Sequence, residues 1–311
     1  EGVLVGGASL DAECFARIAY YEVACFLMRH PDCWGHRPAV MGVINLTPDS
    51  FSDGGRFNRA DLALNEASRQ LQAGAQILDL GAQSTRPGAV AVGEEEELSR
   101  LLPCLESIRA AHPQAILSVD TFLASVARAA LKAGTDWIND VSGGRRDPAM
   151  LPLVADAGCP YVLMHSRGDS QTMDDYTDYG EQGVVAGVLQ ELRLSTDRAL
   201  QAGLSREQLI WDPGLGFAKT TDQNLQLIRQ LDELQQDGIP LLLGPSRKRF
   251  IGAVLDQPRA KARIWGTAAV CARAVEAGVH VVRVHDVGPI HQVVTMAAAV
   301  ARQGSPANVH D

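Results

Sequence analysis

The sequence predicts a single-domain α/β protein, a (β/α)8 TIM barrel with an N-terminal extension. Three observations predict it. Eight apolar runs are spaced along the chain from Val40 onward, a recurring Ala-Gly stands ahead of the runs, and a polar or charged group follows each of them.

The runs are Val40–Leu46, Gln76–Leu80, Ala115–Val119, Asp136–Ile138, Pro160–Met164, Leu209–Trp211, Pro240–Leu243 and His280–Val284. They are continuously apolar rather than alternating, as in parallel strands covered on both faces. Longer stretches of helical pattern separate them. Ala73-Gly74, Ala133-Gly134, Ala157-Gly158, Ala202-Gly203 and Ala277-Gly278, with Asp237-Gly238 in the same role, mark where a helix stops before the next strand. Glycine ends helices there because it reaches positive φ without a Cβ clash. Eight such units in about 250 residues fit a (β/α)8 barrel. An open doubly wound sheet is the rival that periodicity leaves standing.

The expected domain plan is an extension of unassigned role over residues 1–37, the barrel over 38–304 and a tail over 305–311. Phe15–Met28 mixes apolar and polar residues, contains Glu22 and lacks a basic flank, which argues against a secretory signal. The chain begins with Glu1 rather than Met, as expected of a fragment or a processed form.

Composition narrows the class. With 46% hydrophobic and 21% charged residues, the 311-residue chain has the make-up of a globular protein. Its formal net charge of -9 disfavours nucleic acid as a partner, since that binding depends on phosphate neutralisation. The six cysteines are scattered, with no C-x-x-C pair, so neither a zinc site nor a disulfide framework is expected and a reducing, cytoplasmic setting is. No apolar stretch approaches the ~20 residues of a membrane helix. The expected partners are therefore small molecules.

In a TIM barrel, catalytic groups gather at the strand C-termini. Asn45 follows the first run, Gln83-Ser84-Thr85-Arg86 the second, Asp120 the third, Asn139-Asp140 the fourth and His165 the fifth. Asp212, Ser246-Arg247-Lys248 and His285-Asp286 follow the last three. Any one alone is ordinary for a loop start; all eight together suggest a lined pocket.

The chemistry of these groups can be read one at a time. The long turn-rich loop Asn45–Gly55 carries Phe51, an aromatic suited to closing on a ligand. Arg86, on a Pro-Gly turn, suits a planar anion. Asp120, Asn139 and Asp212 can accept from the donor edge of a flat heterocycle, although each alone would serve as a helix N-cap. Lys248 could pair with a buried carboxylate. Asp212-Pro-Gly-Leu-Gly-Phe217 lets backbone approach a ligand and lacks the ending of a P-loop. Ser246-Arg247-Lys248-Arg249 opens a helix, a natural place for an anion. Arg283 and His285 share one strand face and make a plausible phosphate clamp.

Met41–Gly55, Ser84–Gly88, Ser118-Val-Asp-Thr121, Ile138-Asn-Asp-Val141, Asp212-Pro-Gly214, Ser246-Arg-Lys248 and Arg283-Val-His-Asp-Val287 resemble, in order, the motifs of the dihydropteroate synthases. The resemblance spans roughly residues 38–304. It implies a barrel that holds 6-hydroxymethyl-7,8-dihydropterin pyrophosphate on Asp120, Asn139, Met164, Asp212 and Lys248. It implies a p-aminobenzoate site from Thr85, Arg86, Pro87, Phe217 and Ser246. It further implies a pyrophosphate site from Asn45, Arg86, Arg283 and His285, with Asn45 on a Mg²⁺ ion. Asn45, Asp120, Asp212, Lys248, Arg283 and His285 are then the catalytic set, and a homodimer inhibited by sulfonamides is the expected form. The chain departs from the family at Gln83, where many members carry Glu, at Ser166, where Met is frequent, and at Pro245. Two alternatives are weighed. A pterin-dependent methyltransferase barrel would not explain the first loop or Ser246-Arg247-Lys248. A silent pterin-binding homologue would be expected to have lost the loop or clamp residues that are present here.

Overall fold

In the computed structural model, residues 29–47, 56–84, 88 and 92–301 are described. The strands are β1 Ala39–Asn45, β2 Ile77–Gly81, β3 Ile116–Asp120, β4 Trp137–Asp140, β5 Tyr161–Met164, β6 Leu209–Asp212, β7 Leu242–Leu243 and β8 Val281–Val284. All eight expected runs are strands. β2, β3 and β4 are displaced by one or two residues toward the C-terminus and β6 runs one residue further, so that Asp120, Asn139 and Asp212 belong to the strands themselves.

All pairings are parallel, in the order β6-β5-β4-β3-β2-β1-β8-β7. A parallel bridge between Trp211 and Leu241 brings β6 to the start of β7 and nearly closes the circle. This excludes the open sheet. The helices are α1 Arg56–Gln72, α2 Glu94–Ala111, α3 Ala124–Lys132, α4 Met150–Ala157, α5 Gly183–Gln201, α6 Thr221–Arg229, α7 Leu231–Leu234, α8 Arg249–Val254, α9 Ile264–Glu276 and α10 Val287–Ala301. All six glycines read as helix stops have positive φ. None of the described helices is long and apolar enough to cross a membrane.

Outward-facing strand residues such as Leu78, Leu117, Ile138 and Leu163 join the apolar helix faces in the larger core. Inward residues Ala39, Met41, Ile77, Ile116, Trp137, Val162, Ile210, Leu242 and Val281 fill the lower barrel. Trp34 packs beneath them, 4.5 Å from the ring of His30 and edge-on to Trp137 at 5.9 Å. Trp137 Nε1 donates to the carbonyl of Arg29 at 2.7 Å. The described part of the N-terminal extension therefore plugs the barrel's base, leaving the opposite end for chemistry.

Candidate active site

Two residues above the apolar plug, the barrel interior becomes polar. Alternation along β2 points Ile77, Asp79 and Gly81 inward, and along β3 Ile116, Ser118 and Asp120. Register sets Asp79 beside Ser118 and Gly81 beside Asp120. Asp79 is fully buried. Its Oδ1 accepts from Ser118 Oγ at 2.6 Å, and its Oδ2 from Arg283 Nε at 2.6 Å and Asn139 Nδ2 at 3.2 Å. Arg283 Nη2 also donates to Asp120 Oδ2 at 2.8 Å. Against the cost of burial, the two carboxylates hold the Arg283 guanidinium charged well beyond its ordinary range.

Asp120, Asn139 and Asp212 are all buried at the same end of the barrel. Burial pushes the Asp120 carboxyl well up, with Arg283 opposing and the Asp79 charge adding to the rise. Its Oδ1 is buried without a hydrogen-bond partner. Asp212 Oδ1 accepts from the N–H of Gly214 at 2.7 Å, and burial raises this carboxyl too, against Lys248. Met164, the last residue of β5, is buried beside Asp212 in the register yet belongs to neither apolar cluster. Lys248 Nζ stands 4.2 Å over the ring of Phe217, and burial lowers its pKa to about 8, with Asp212 pulling the other way. These groups form a floor of acceptors with cations beside it, able to hold a planar molecule rich in N–H groups.

The β7 and β8 ends are fastened together. Arg247 adopts φ 62° and turns its side chain to Asp286, with Nη2 to Oδ1 at 2.7 Å and Nε to Oδ2 at 3.1 Å. Its neighbour Ser246 accepts the backbone N–H of His285 at 3.1 Å and faces His285 Nδ1 at 2.9 Å. Arg283 lies in β8, and His285 directly follows its last residue. The Arg283 guanidinium reaches to the carboxylates of Asp79 and Asp120, and His285 faces Ser246.

Asn45 ends β1 and offers one neutral amide at the mouth. No group of three or more His, Cys, Asp or Glu side chains among the described residues could hold a metal ion by itself. Thr85, Arg86 and Pro87, and the first loop from Pro48 to Gly55 with Phe51, lie outside the described residues.

Sequence reading missed Asp79, Ser118 and Lys219. Asp79 and Ser118 are inside apolar runs; a carboxylate in the middle of a buried strand needs a partner and was itself the signal. Lys219 is buried, with its Nζ 3.0 Å from the Nδ1 of His165. His165 and Asp140 point outward. Asp140 accepts from the N–H groups of Ser142 and Gly144 and from the Tyr161 hydroxyl, and so shapes a turn.

Fold and site together define a barrel enzyme whose chemistry sits at the strand C-termini, on a buried polar floor. A family model described as pterin binding enzyme matches residues 41–285. The chain is 49% identical over 269 residues to a dihydropteroate synthase from Synechocystis, an alignment covering 86% of this chain and 92% of that one. Among solved structures, dihydropteroate synthase from Clostridium difficile, determined in the presence of pteroic acid, superposes with a TM-score of 0.81 at 38% identity, covering 87% of this chain and 99% of the other. The Xanthomonas albilineans enzyme with 4-aminobenzoic acid gives 0.80 at 42% identity, covering 86% and 94%. This chain belongs to the dihydropteroate synthase family of pterin-binding enzymes.

Proposed function

We propose that the protein is a dihydropteroate synthase, a transferase that joins 6-hydroxymethyl-7,8-dihydropterin pyrophosphate to p-aminobenzoate and releases pyrophosphate and 7,8-dihydropteroate. The observation that carries this reading is the floor itself. The unpartnered Oδ1 of Asp120 stands with Asn139 and Asp212 at the end of the barrel where Lys248 and Arg283 supply positive charge. A pterin presents an amino group and ring N–H groups to such acceptors, and its donor edge would supply the partner that the buried Asp120 Oδ1 lacks. Met164 packs on the ring, and Lys248 donates to it.

In the reaction, the bond between the pterin methylene carbon and the pyrophosphate oxygen breaks, and its electron pair leaves with pyrophosphate. The aniline nitrogen then forms a bond to that carbon and releases a proton. A free aniline is already nucleophilic at neutral pH, so the work lies in stabilising the leaving anion and aligning the amine. We assign that anion to Arg283, whose Nη1 neither carboxylate engages, to His285 and to Arg86. We assign the p-aminobenzoate site to Thr85, Arg86, Pro87, Phe217 and Ser246.

Magnesium suits the donor set in a limited way. Mg²⁺ keeps several waters and takes the rest of its oxygens largely from substrate phosphates. The single amide of Asn45 fits an ion arriving with pyrophosphate rather than a resident metal. When bound, it supplies neutralisation of the leaving anion's charge.

A cytoplasmic setting agrees with the four described cysteines, Cys33, Cys104, Cys159 and Cys271, which are all free. A homodimer agrees with the apolar side chains exposed near one another in sequence, Val254, Leu255 and Trp265, the last at 77% exposure.

The test is pyrophosphate release with Mg²⁺ and the pterin pyrophosphate, with and without p-aminobenzoate. Release coupled to dihydropteroate and competed by sulfanilamide is expected. Pterin binding with no release would favour a silent homologue.

A further inference from the structure

The loop from β6 to α6 holds a shape its backbone does not favour. Gly214 and Gly216 have positive φ, and so does Ala218, at 49°. A left-handed residue with a Cβ is strained, because the Cβ crowds the following carbonyl oxygen. Gly214 has no room for a side chain, because a Cβ there would fall 1.9 Å from the carbonyl oxygen of His165. The turn is therefore pressed against the end of β5 and needs to be held there.

Lys219 holds it. Burial lowers Lys219 to about 7, with the Asp212 and Glu191 charges opposing; in its ammonium form it has three donors and no acceptor. Here each donor meets an acceptor: the carbonyls of Gly214 at 3.0 Å and Phe217 at 2.9 Å, and His165 Nδ1 at 3.0 Å. The ionised Glu191 carboxylate can only accept, so its Oε2, 3.1 Å from His165 Nε2, puts the imidazole proton there and leaves Nδ1 to accept from Lys219. Arg167 closes the chain, with Nε on Glu191 Oε1 at 2.9 Å. Burial, and then the Lys219 charge, push His165 down to about 3, so it stays neutral. Burial would raise Glu191, but the His165 and Arg167 hydrogen bonds prevail and hold it at about 2.

The other side of the same turn faces the mouth. The Phe217 ring lies under Lys248 Nζ, and a Cβ on Gly216 would stand 3.1 Å from Lys248 Cδ. Asn224 Oδ1 accepts the Gly216 N–H at 2.7 Å, which fixes the middle of the loop to α6. The carbonyl that Lys219 grips belongs to the residue whose ring meets Lys248.

We propose that Lys219, oriented by His165 and Glu191, is a positioning residue that sets the Phe217 wall and thereby the affinity for p-aminobenzoate. The inference rests on the reading above, which puts p-aminobenzoate beside Phe217. A lysine that only stabilised the fold would change melting temperature and the active fraction, and would leave both Michaelis constants alone. A lysine that sets the wall changes the constants for the ligands that touch it.

The experiment uses the full chain with Lys219→Met, similar in length and without donors, and Glu191→Gln, which keeps shape and removes charge. The expected result for Lys219→Met is a rise of about tenfold or more in KM for p-aminobenzoate, with a parallel rise in Ki for sulfanilamide. KM for the pterin pyrophosphate should stay within about threefold. Glu191→Gln should shift the same two constants in the same direction by less, and it carries the test if Lys219→Met does not fold. An unchanged p-aminobenzoate KM, or equal rises for both substrates, would overturn the inference while leaving the enzymatic reading in place. Wild-type protein that forms no dihydropteroate would overturn the reading, and the inference with it.

Discussion

Arg283 on β8 reaches across the barrel interior to Asp79 on β2, with Nε 2.6 Å from Oδ2. The pair fixes where the guanidinium lies, so that Nη2 meets Asp120 as well. Removing one partner of a buried pair strands the other charge, at a cost of about 3–5 kcal/mol. Asp79→Ala should lower stability by that order. Asp79→Asn keeps acceptor and shape, so it should cost less stability yet still reduce dihydropteroate formation, because Arg283 and Asn139 lose a charged anchor. Urea midpoints and single-turnover rates would separate the two effects. An Asp79→Asn enzyme with unchanged turnover would show that the charge at Asp79 is dispensable.

Lys248 carries a pH prediction. Burial lowers its pKa to about 8, below an ordinary lysine. A lysine lowered in this way loses its proton as pH rises through about 8, and with it the charge available to the pterin. The kcat/KM for the pterin pyrophosphate, which reports the free enzyme, should fall along an alkaline limb near that pH. Lys248→Arg should be much less active but should lack the limb, since a guanidinium stays charged. The same limb in both proteins would assign it to another group.

Phe217→Leu removes the ring under Lys248 while leaving an apolar side chain. The cation–π contact is worth about 0.5–2 kcal/mol. If the lost ring contacts with p-aminobenzoate and sulfanilamide are of that size, affinity for both should fall roughly two- to thirtyfold, with the pterin pyrophosphate less affected. Isothermal titration of each ligand checks this. Equal losses for all three would take Phe217 out of the p-aminobenzoate wall.

The strands and the floor residues Asp120, Asn139 and Asp212 were legible in the sequence for one reason: parallel strands are apolar to their ends, so the first polar residue beyond a run stands out. The same logic concealed Asp79 and Ser118. They lie inside runs, where the eye assigns them to the core. Lys219 was hidden differently. It stands seven residues beyond Asp212, and only the folding back of a left-handed turn brings its ammonium to His165. Spacing put Arg283 and His285 on one face, but β8 ends at Val284, and spacing along a strand says nothing of the residue each side chain meets across a barrel. Asp140 and His165 looked like pocket residues because they border the floor in sequence, while alternation turns them outward.

The departure at Gln83 gives the last prediction. Gln83 Nε2 donates to Glu97 Oε2 at 2.7 Å, while Gln83 Oε1 and Glu97 Oε1 are both buried without partners. Burial raises the Glu97 carboxyl; Thr121 and Arg100 oppose the rise. A group whose pKa is raised on folding stabilises fully below its unfolded value, near 4.5, and loses that contribution as pH climbs through the folded value. Glu97→Gln removes the buried charge and supplies an amide N–H to a pair of side chains with a spare oxygen acceptor. Relief of one unsatisfied buried group is worth about 1–3 kcal/mol. The variant should therefore be more stable than the wild type near pH 8, and the gain should shrink toward zero near pH 4.5. Thermal unfolding at the two pH values decides it: a variant destabilised at both would mean that ionised Glu97 is held by partners better than the amide can find.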